Sequence, residues 1–206
     1  MTLDLQGVEF RGTLEPLQGC TALTFLDLSH DEYVLSLIQG TLLPLGGLTR
    51  LKYLSLMENE QMIGTFEPIG ALTALEELNL FYLANVTGSL QPFARCELLT
   101  KLDLSCCQYL EGNLEPLGTL IMLRELSLMR CPLLKGKIDP LKRCTSLVSV
   151  NLSGTFEEPS KLKGSVSGIF EGCTNLRNLV IIFCRKLKGV DELREALPEC
   201  NVDAGE

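Results

Sequence analysis

The pattern Leu-x-x-Leu-x-Leu recurs along this chain at a nearly constant interval, and that recurrence limits the fold more than any other feature. Copies stand at Leu23/Leu26/Leu28, Leu51/Leu54/Leu56, Leu75/Leu78/Leu80, Leu99/Leu102/Leu104, Leu123/Leu126/Leu128, Leu147/Val150/Leu152 and Leu176/Leu179/Ile181. Successive copies lie 28, 24, 24, 24, 24 and 29 residues apart, and Leu3 and Leu5 look like the remnant of one more. A ladder of glycines runs in step: Gly12, Gly40, Gly64, Gly88, Gly112, Gly136, Gly164 and Gly189. Six units then add a proline, at Pro16, Pro44, Pro68, Pro92, Pro116 or Pro140. Two ladders in phase mark a solenoid, in which each unit buries its apolar side against the next because none can do so alone.

One unit can be read directly. In Glu77-Leu78-Asn79-Leu80-Phe81, alternation turns the leucines inward and the residues between them outward. Successive strands then stack in parallel about 4.8 Å apart. The glycine suits a tight bend where a Cβ would be costly. The residue before each proline is expected to be extended, with proline opening a helical turn, so Leu114-Glu115-Pro116-Leu117 predicts a short extended segment entering a turn on the convex side. Near the end, residues 190–197 place Val190, Leu193 and Leu197 on one helical face, and Pro198 stops the helix. Cys200-Asn201-Val202 adds a last extended piece. The expected organisation is one domain over residues 1–206: a partial first coil at 1–22, seven repeats over 23–189 and a C-terminal cap over 190–206. No amphipathic segment is found to cover Leu3 and Leu5, which leaves the first coil's edge bare.

These residues resemble the leucine-rich repeat family over nearly the whole chain. The resemblance implies an α/β solenoid: a right-handed arc with a parallel concave β-sheet and short helical turns or irregular segments on its convex side. In that family Asn or Cys stands three residues after the last strand leucine and bonds neighbouring backbone. The matching positions here are Asp31, Asn59, Leu83, Cys107, Cys131, Thr155 and Cys184, of which only Leu83 is expected to be unable to do so. The Gly-x-Leu element is similar to the second strand of the plant-type 24-residue repeat, although here a further residue separates the apolar position from proline.

Nine cysteines raise the question of disulfides or metal. Repeat position accounts for most: Cys20, Cys96, Cys144 and Cys173 take the convex core position held elsewhere by Leu48, Leu72 and Leu120, and three more stand on the Asn/Cys ladder. With no Cys-x-x-Cys pair and a single histidine, no metal site or cofactor is expected. Buried free thiols fit a reducing compartment, and no signal segment is read at the N-terminus, so an intracellular location is expected. The sequons at Asn85 and Asn151 keep an extracellular reading open. No apolar run reaches the roughly 18 residues of a bilayer span, so no membrane insertion is expected. A net charge of −8 argues against nucleic acid as partner. That charge is unevenly spread: residues 1–95 hold 4 basic and 11 acidic side chains, whereas residues 135–188 hold 10 and 4.

No catalytic constellation is found. Asp27, Ser29 and His30 are neighbours along an open strand, where nucleophile, base and orienter do not converge, and no phosphate-loop or metalloprotease motif occurs. What the chain offers is surface. The central outward column, which includes Asp27, Ser55, Asn79, Asp103 and Asn151, is small and polar, and larger groups flank it. Phe25, Tyr53, Met57, Phe81, Tyr82, Met129 and Arg130 are expected as anchors, with Lys101, Asp103 and Glu125 supplying charge. Such a mixture suits a protein or peptide partner. Two insertions, at 31–38 and 155–163, are expected to emerge on the same edge and extend that surface. The expected role is a non-catalytic scaffold or adaptor. A receptor-type extracellular ectodomain, or a module that self-associates through its bare first coil, remain alternatives.

Overall fold

A computed structural model describes residues 1–8, 11–30 and 37–205. Nine short parallel strands form one sheet in strict chain order: β1 (Thr2–Asp4), β2 (Phe25–Asp27), β3 (Tyr53–Ser55), β4 (Glu77–Asn79), β5 (Lys101–Asp103), β6 (Glu125–Ser127), β7 (Ser149–Asn151), β8 (Asn178–Val180) and β9 (Asn201–Asp203). Each strand pairs with the repeat-equivalent residues of the next, so Leu26 faces Leu54, Leu54 faces Leu78, and the register never slips. The ladder continues beyond the strands, with Leu28 N–H on Ser55, Leu56 on Asn79, Leu80 on Asp103 and Leu104 on Ser127, all at 2.8–3.0 Å. This is the parallel leucine-lined sheet that the repeat predicts.

Inside the coils the leucines form continuous columns. Leu26, Leu54, Leu78, Leu102, Leu126, Val150 and Leu179 are buried, as are Leu28 to Ile181 one step on and Leu23 to Leu176 one step before. Each fully buried side chain contributes about 1.5–3 kcal/mol. After the inner strand every coil bends through its glycine. All eight ladder glycines have positive φ, and at Gly64 (φ 92°) a Cβ would stand 3.1 Å from Thr41 Cγ2 of the preceding coil. Further short parallel strands on this flank join coil to coil, for example Met62–Thr65 with Val86–Ser89.

The proline segments depart from expectation. The residue before each proline is not extended; it opens a 3₁₀ turn, as in Glu67–Ala71, Gln91–Arg95, Glu115–Thr119 and Asp139–Arg143. Leu114 already has φ −86° and ψ 2°, so Leu114-Glu115-Pro116 turns from its start. The preference for extended backbone before proline is modest, and it yields to packing of the apolar residue two before proline and the one after it. Leu114 and Leu117 are both fully buried, and Leu117 N–H closes the turn on the Leu114 carbonyl at 2.9 Å. Where proline is missing the turn becomes a true helix. α1 (Val166–Phe170) begins with Ser165, whose Oγ accepts from Gly168 N–H, and α2 (Val190–Ala196) buries Leu193 with Val190 and Leu197 packed beside it.

The ladder three residues after the last strand leucine also takes shape. Asn59 Nδ2 donates to the Leu28 carbonyl of the preceding coil at 2.9 Å. The thiols of Cys107, Cys131 and Cys184 make the same reach, to Leu80, Leu104 and Leu152 at 3.4, 3.1 and 3.1 Å. Thr155, expected to join them, does not: its Oγ1 instead accepts from Glu158 N–H inside the second insertion, because the longer loop leaves the ladder there. Asp31 and most of the first insertion lie outside the described residues. Leu83 is buried as a plain apolar residue.

Asn59 is fully buried and also serves the carbonyls of its own coil, Leu56 at 3.0 Å and Met57 at 3.3 Å. Asn59→Ala is therefore expected to lower unfolding free energy by about 1–3 kcal/mol, since three carbonyls lose the buried amide that joins the two coils. Urea titration of the variant against the parent measures this.

Candidate functional site

The outward face of the nine-stranded sheet holds a trough of about 400 Å³ across β3 to β8. Its floor and walls are the outward residues of consecutive coils. Glu77, Lys101 and Glu125 stand side by side on β4, β5 and β6, because the in-register pairing places repeat-equivalent residues opposite one another. Lys101 Nζ lies 3.8 Å from Glu77 Oε2 and 3.7 Å from Glu125 Oε1, and all three side chains are about half exposed. Pairs so placed stabilise the fold by at most about 1 kcal/mol. They remain available to exchange one charge partner for another.

At the β2 end the trough is closed by an aromatic pair. Phe25 and Tyr53 stack with centroids 4.3 Å apart and planes 7° off parallel. The Tyr53 hydroxyl donates to Asp27 Oδ2 at 3.1 Å, while Asp27 Oδ1 accepts from the Ser29 hydroxyl and its N–H. Partial burial, and then the neighbouring Asp27 carboxylate, push the Tyr53 phenol up to about 12. Asp27, Ser29 and His30 are all buried, so this trio belongs to the packed end of the sheet.

The central polar column has an additional duty that residue type alone does not reveal. Asp4, Asp27, Asn79, Asp103, Asn151 and Asp203 each accept, through Oδ1, the backbone N–H two residues on, at 2.9–3.2 Å. These side-chain turns bend the chain off the strand end. Three residues beyond the column position, Glu58, Tyr82, Cys106, Arg130 and Phe183 take left-handed backbone (φ 56–66°), at a cost of about 1–2 kcal/mol each. The N–H groups of Glu58, Tyr82, Cys106 and Arg130 remain on the coil-to-coil ladder, at 2.8–3.0 Å.

The expected anchors therefore separate into two groups. Tyr53, Lys101, Asp103 and Glu125 line the trough, with Phe25 stacked on Tyr53. Met57, Phe81, Tyr82, Met129 and Arg130 follow the strands and form a rim beyond it; there Phe81 and Tyr82 lie 6.1 Å apart. Glu77, Ser149 and Val180 also line the trough. They were legible as column members but lacked the size or aromatic character that marks an anchor. Of the second insertion, Phe156 is exposed and meets Phe183 edge-on at 6.2 Å. Among the described residues no group of His, Cys, Asp or Glu is placed to hold a metal ion, and no helix is long and apolar enough to cross a membrane.

No protein-family model matches the sequence, and no curated protein matches it either. Solved structures do. Internalin C2 from Listeria monocytogenes superposes with a TM-score of 0.76 at 21% identity, over 99% of this chain and 80% of its own. The plant peptide hormone receptor RGFR1, solved with RGF2, gives 0.80 at 22% identity, over 100% of this chain and 32% of its own. The functional domain of InlJ from Listeria monocytogenes, which includes a cysteine ladder, gives 0.65 at 18%, over 99% and 44%. The chain has the leucine-rich repeat fold. It spans most of the first of these structures but less than half of the other two.

Within this fold all nine cysteines are unpaired thiols, and all but Cys20 are buried. Burial raises the pKa values of the buried thiols: Cys131 to about 12, and Cys96, Cys144, Cys173 and Cys184 to about 11, from an ordinary 9.0. They stay protonated donors at neutral pH. The folded pKa values exceed the unfolded ones, so the associated stability is complete below pH 9 and is lost as pH rises through the folded values of about 11–12. Urea midpoints are expected to hold from pH 7 to 8.5 and fall by pH 10.5. At pH 7.5 a thiol reagent should label Cys20 first, with the others reacting only on unfolding; mass spectrometry of digests reads the order.

Proposed function

We propose that this chain is a non-catalytic scaffold or adaptor that holds a protein or peptide partner against its concave sheet. The supporting observation is the trough itself, whose alternating Glu77, Lys101 and Glu125 abut the stacked Phe25–Tyr53 pair. A wide open trough with charges at one level and an aromatic step at its end suits an extended segment lying across several coils. The carboxylates of Glu77, Asp103 and Glu125 outnumber the single ammonium of Lys101 along its lining. The segment it fits best carries a basic residue flanked by an apolar or aromatic one. RGFR1 was solved with a peptide hormone, and the present chain shares its coil geometry, which supports the same kind of occupant here.

The test is a peptide selection on the intact chain, followed by affinity measurement for the selected sequences. Tyr53→Ala combined with Phe81→Ala is expected to weaken binding at least tenfold, because truncating aromatic anchors at an interface typically costs about 2 kcal/mol or more. The unfolding free energy should fall by about 1–3 kcal/mol, from the lost Phe25–Tyr53 stack, the lost Phe81–Tyr82 contact and the lost hydroxyl bond to Asp27, with the fold retained. Peptides that bind parent and variant equally would place the partner elsewhere.

A further inference from the structure

The flank of the solenoid between the concave sheet and the convex turns carries a second surface, independent of the trough. Before this point the flank strands carry few charges: Ile63, Thr65, Thr87 and Ser89 are neutral, and the single charges Arg11 and Glu111 stand far apart. It then changes abruptly. Strand Lys135–Lys137 pairs with strand Lys161–Ser165 so that Lys135 faces Lys161 and Lys137 faces Lys163. The next strand, Leu187–Lys188, sets Lys188 opposite Ser165, and Gly164 N–H reaches the Lys186 carbonyl. Alternation turns Leu162 into the core, 2% exposed, and leaves the lysines on either side of it in solvent. Six exposed ammonium groups thus share one small face of a chain whose net charge is −8.

This arrangement works against the fold. Like charges directly opposite on neighbouring strands are destabilising. Among the described residues none of these lysines makes an ion pair. The short strands need only small or β-forming residues at these outward positions, as the neutral coils show. A row of opposed, unneutralised lysines therefore points to an anionic ligand.

The surroundings decide which one. Glu111, on the strand before Lys135, and Asp139, just after Lys137, are exposed at the borders of the face. Glu157 and Glu158 project from the insertion immediately before Lys161. On α2, Asp191 and Glu192 follow Lys188, with Asp191 paired to Arg194. An anionic bilayer laid on the lysines would press against these carboxylates, and a long nucleic acid would run across them into an acidic molecule. A short linear segment fits between them. Lysines two apart on a strand repeat at roughly 6.6–6.8 Å, as do carboxylates two apart in an extended peptide. We infer that the lysine-faced flank formed by strands Lys135–Lys137, Lys161–Ser165 and Leu187–Lys188 docks a short, extended acidic segment of a partner polypeptide.

The experiment uses the full chain and a fluorescein-labelled dodecapeptide of alternating Glu and Ser, with an alternating Lys and Ser peptide as control. Fluorescence anisotropy is expected to show binding of the acidic peptide alone, weakening as sodium chloride rises from 50 to 300 mM. The double variant K137E/K161E leaves one charge of each sign in both opposed pairs. It should weaken binding at least tenfold while melting at or above the parent temperature, which separates lost recognition from lost folding. The Tyr53→Ala/Phe81→Ala variant should bind this peptide as the parent does, so failure of the concave reading leaves this one standing and the reverse. Absence of binding at 50 mM salt, or equal binding by the lysine variant, would overturn the inference. So would phosphatidylserine vesicles or polyuridylate binding the same lysines more tightly than the peptide does, since the site would then belong to a membrane or a nucleic acid.

Discussion

Every part of this molecule depends on one constraint: successive coils must stack at the spacing of a parallel β-ladder. At about 4.8 Å between strands there is no room for a coil to change its inner residues independently. A leucine sits on the leucine of the coil before, and the backbone N–H of one coil finds the carbonyl of the next from Leu5 to Ile181. The side-chain ladder of Asn59, Cys107, Cys131 and Cys184 serves the same end, each side chain donating to a carbonyl of the coil before it. Cysteine suits this place because its thiol is small and apolar enough to pack while still donating a weak bond.

The same constraint explains what could be read in advance. Inner leucines and bend glycines are required in every coil, so their recurrence is visible as spacing. The acids and amides that end the strands are not required in every coil, and Ser55, Ser127 and Val180 break the row. A side chain's bond to its own backbone leaves no periodic mark of its own. The left-handed residues were equally hidden. Glu58, Tyr82, Cys106 and Arg130 are none of them glycine, and they hold that conformation because the ladder bonds on both sides outweigh its cost.

Proline misled in an instructive way. Its local effect on the preceding residue is real, but Leu114 and Leu117 must both reach the core across three residues, and only a tight turn brings them there. A tertiary requirement repeated in six coils outweighs a local preference. The trough was similarly half-visible. Its columns followed from alternation, but which members line a cavity depends on how neighbouring side chains lean. Phe25 is half-buried because it lies on Tyr53, and Asp27 is buried because the Tyr53 hydroxyl and Ser29 cover it.

A solenoid separates the cost of a surface from the stability of its core. Each coil contacts only its neighbours, so an unfavourable arrangement on one flank is charged to a few interfaces and not to the whole. Opposing lysines across two strands costs about 0.2–1 kcal/mol per pair, set against several buried aliphatic side chains in each coil at about 1.5–3 kcal/mol apiece. The fold can therefore carry an acidic, aromatic-edged trough on one face and a dense basic patch on another without either dictating the other. This is the physical reason that ladder residues identify the architecture and outward residues carry its chemistry. Lys137 and Lys163 could be replaced without disturbing Leu162, which lies between Lys161 and Lys163 and belongs to the core.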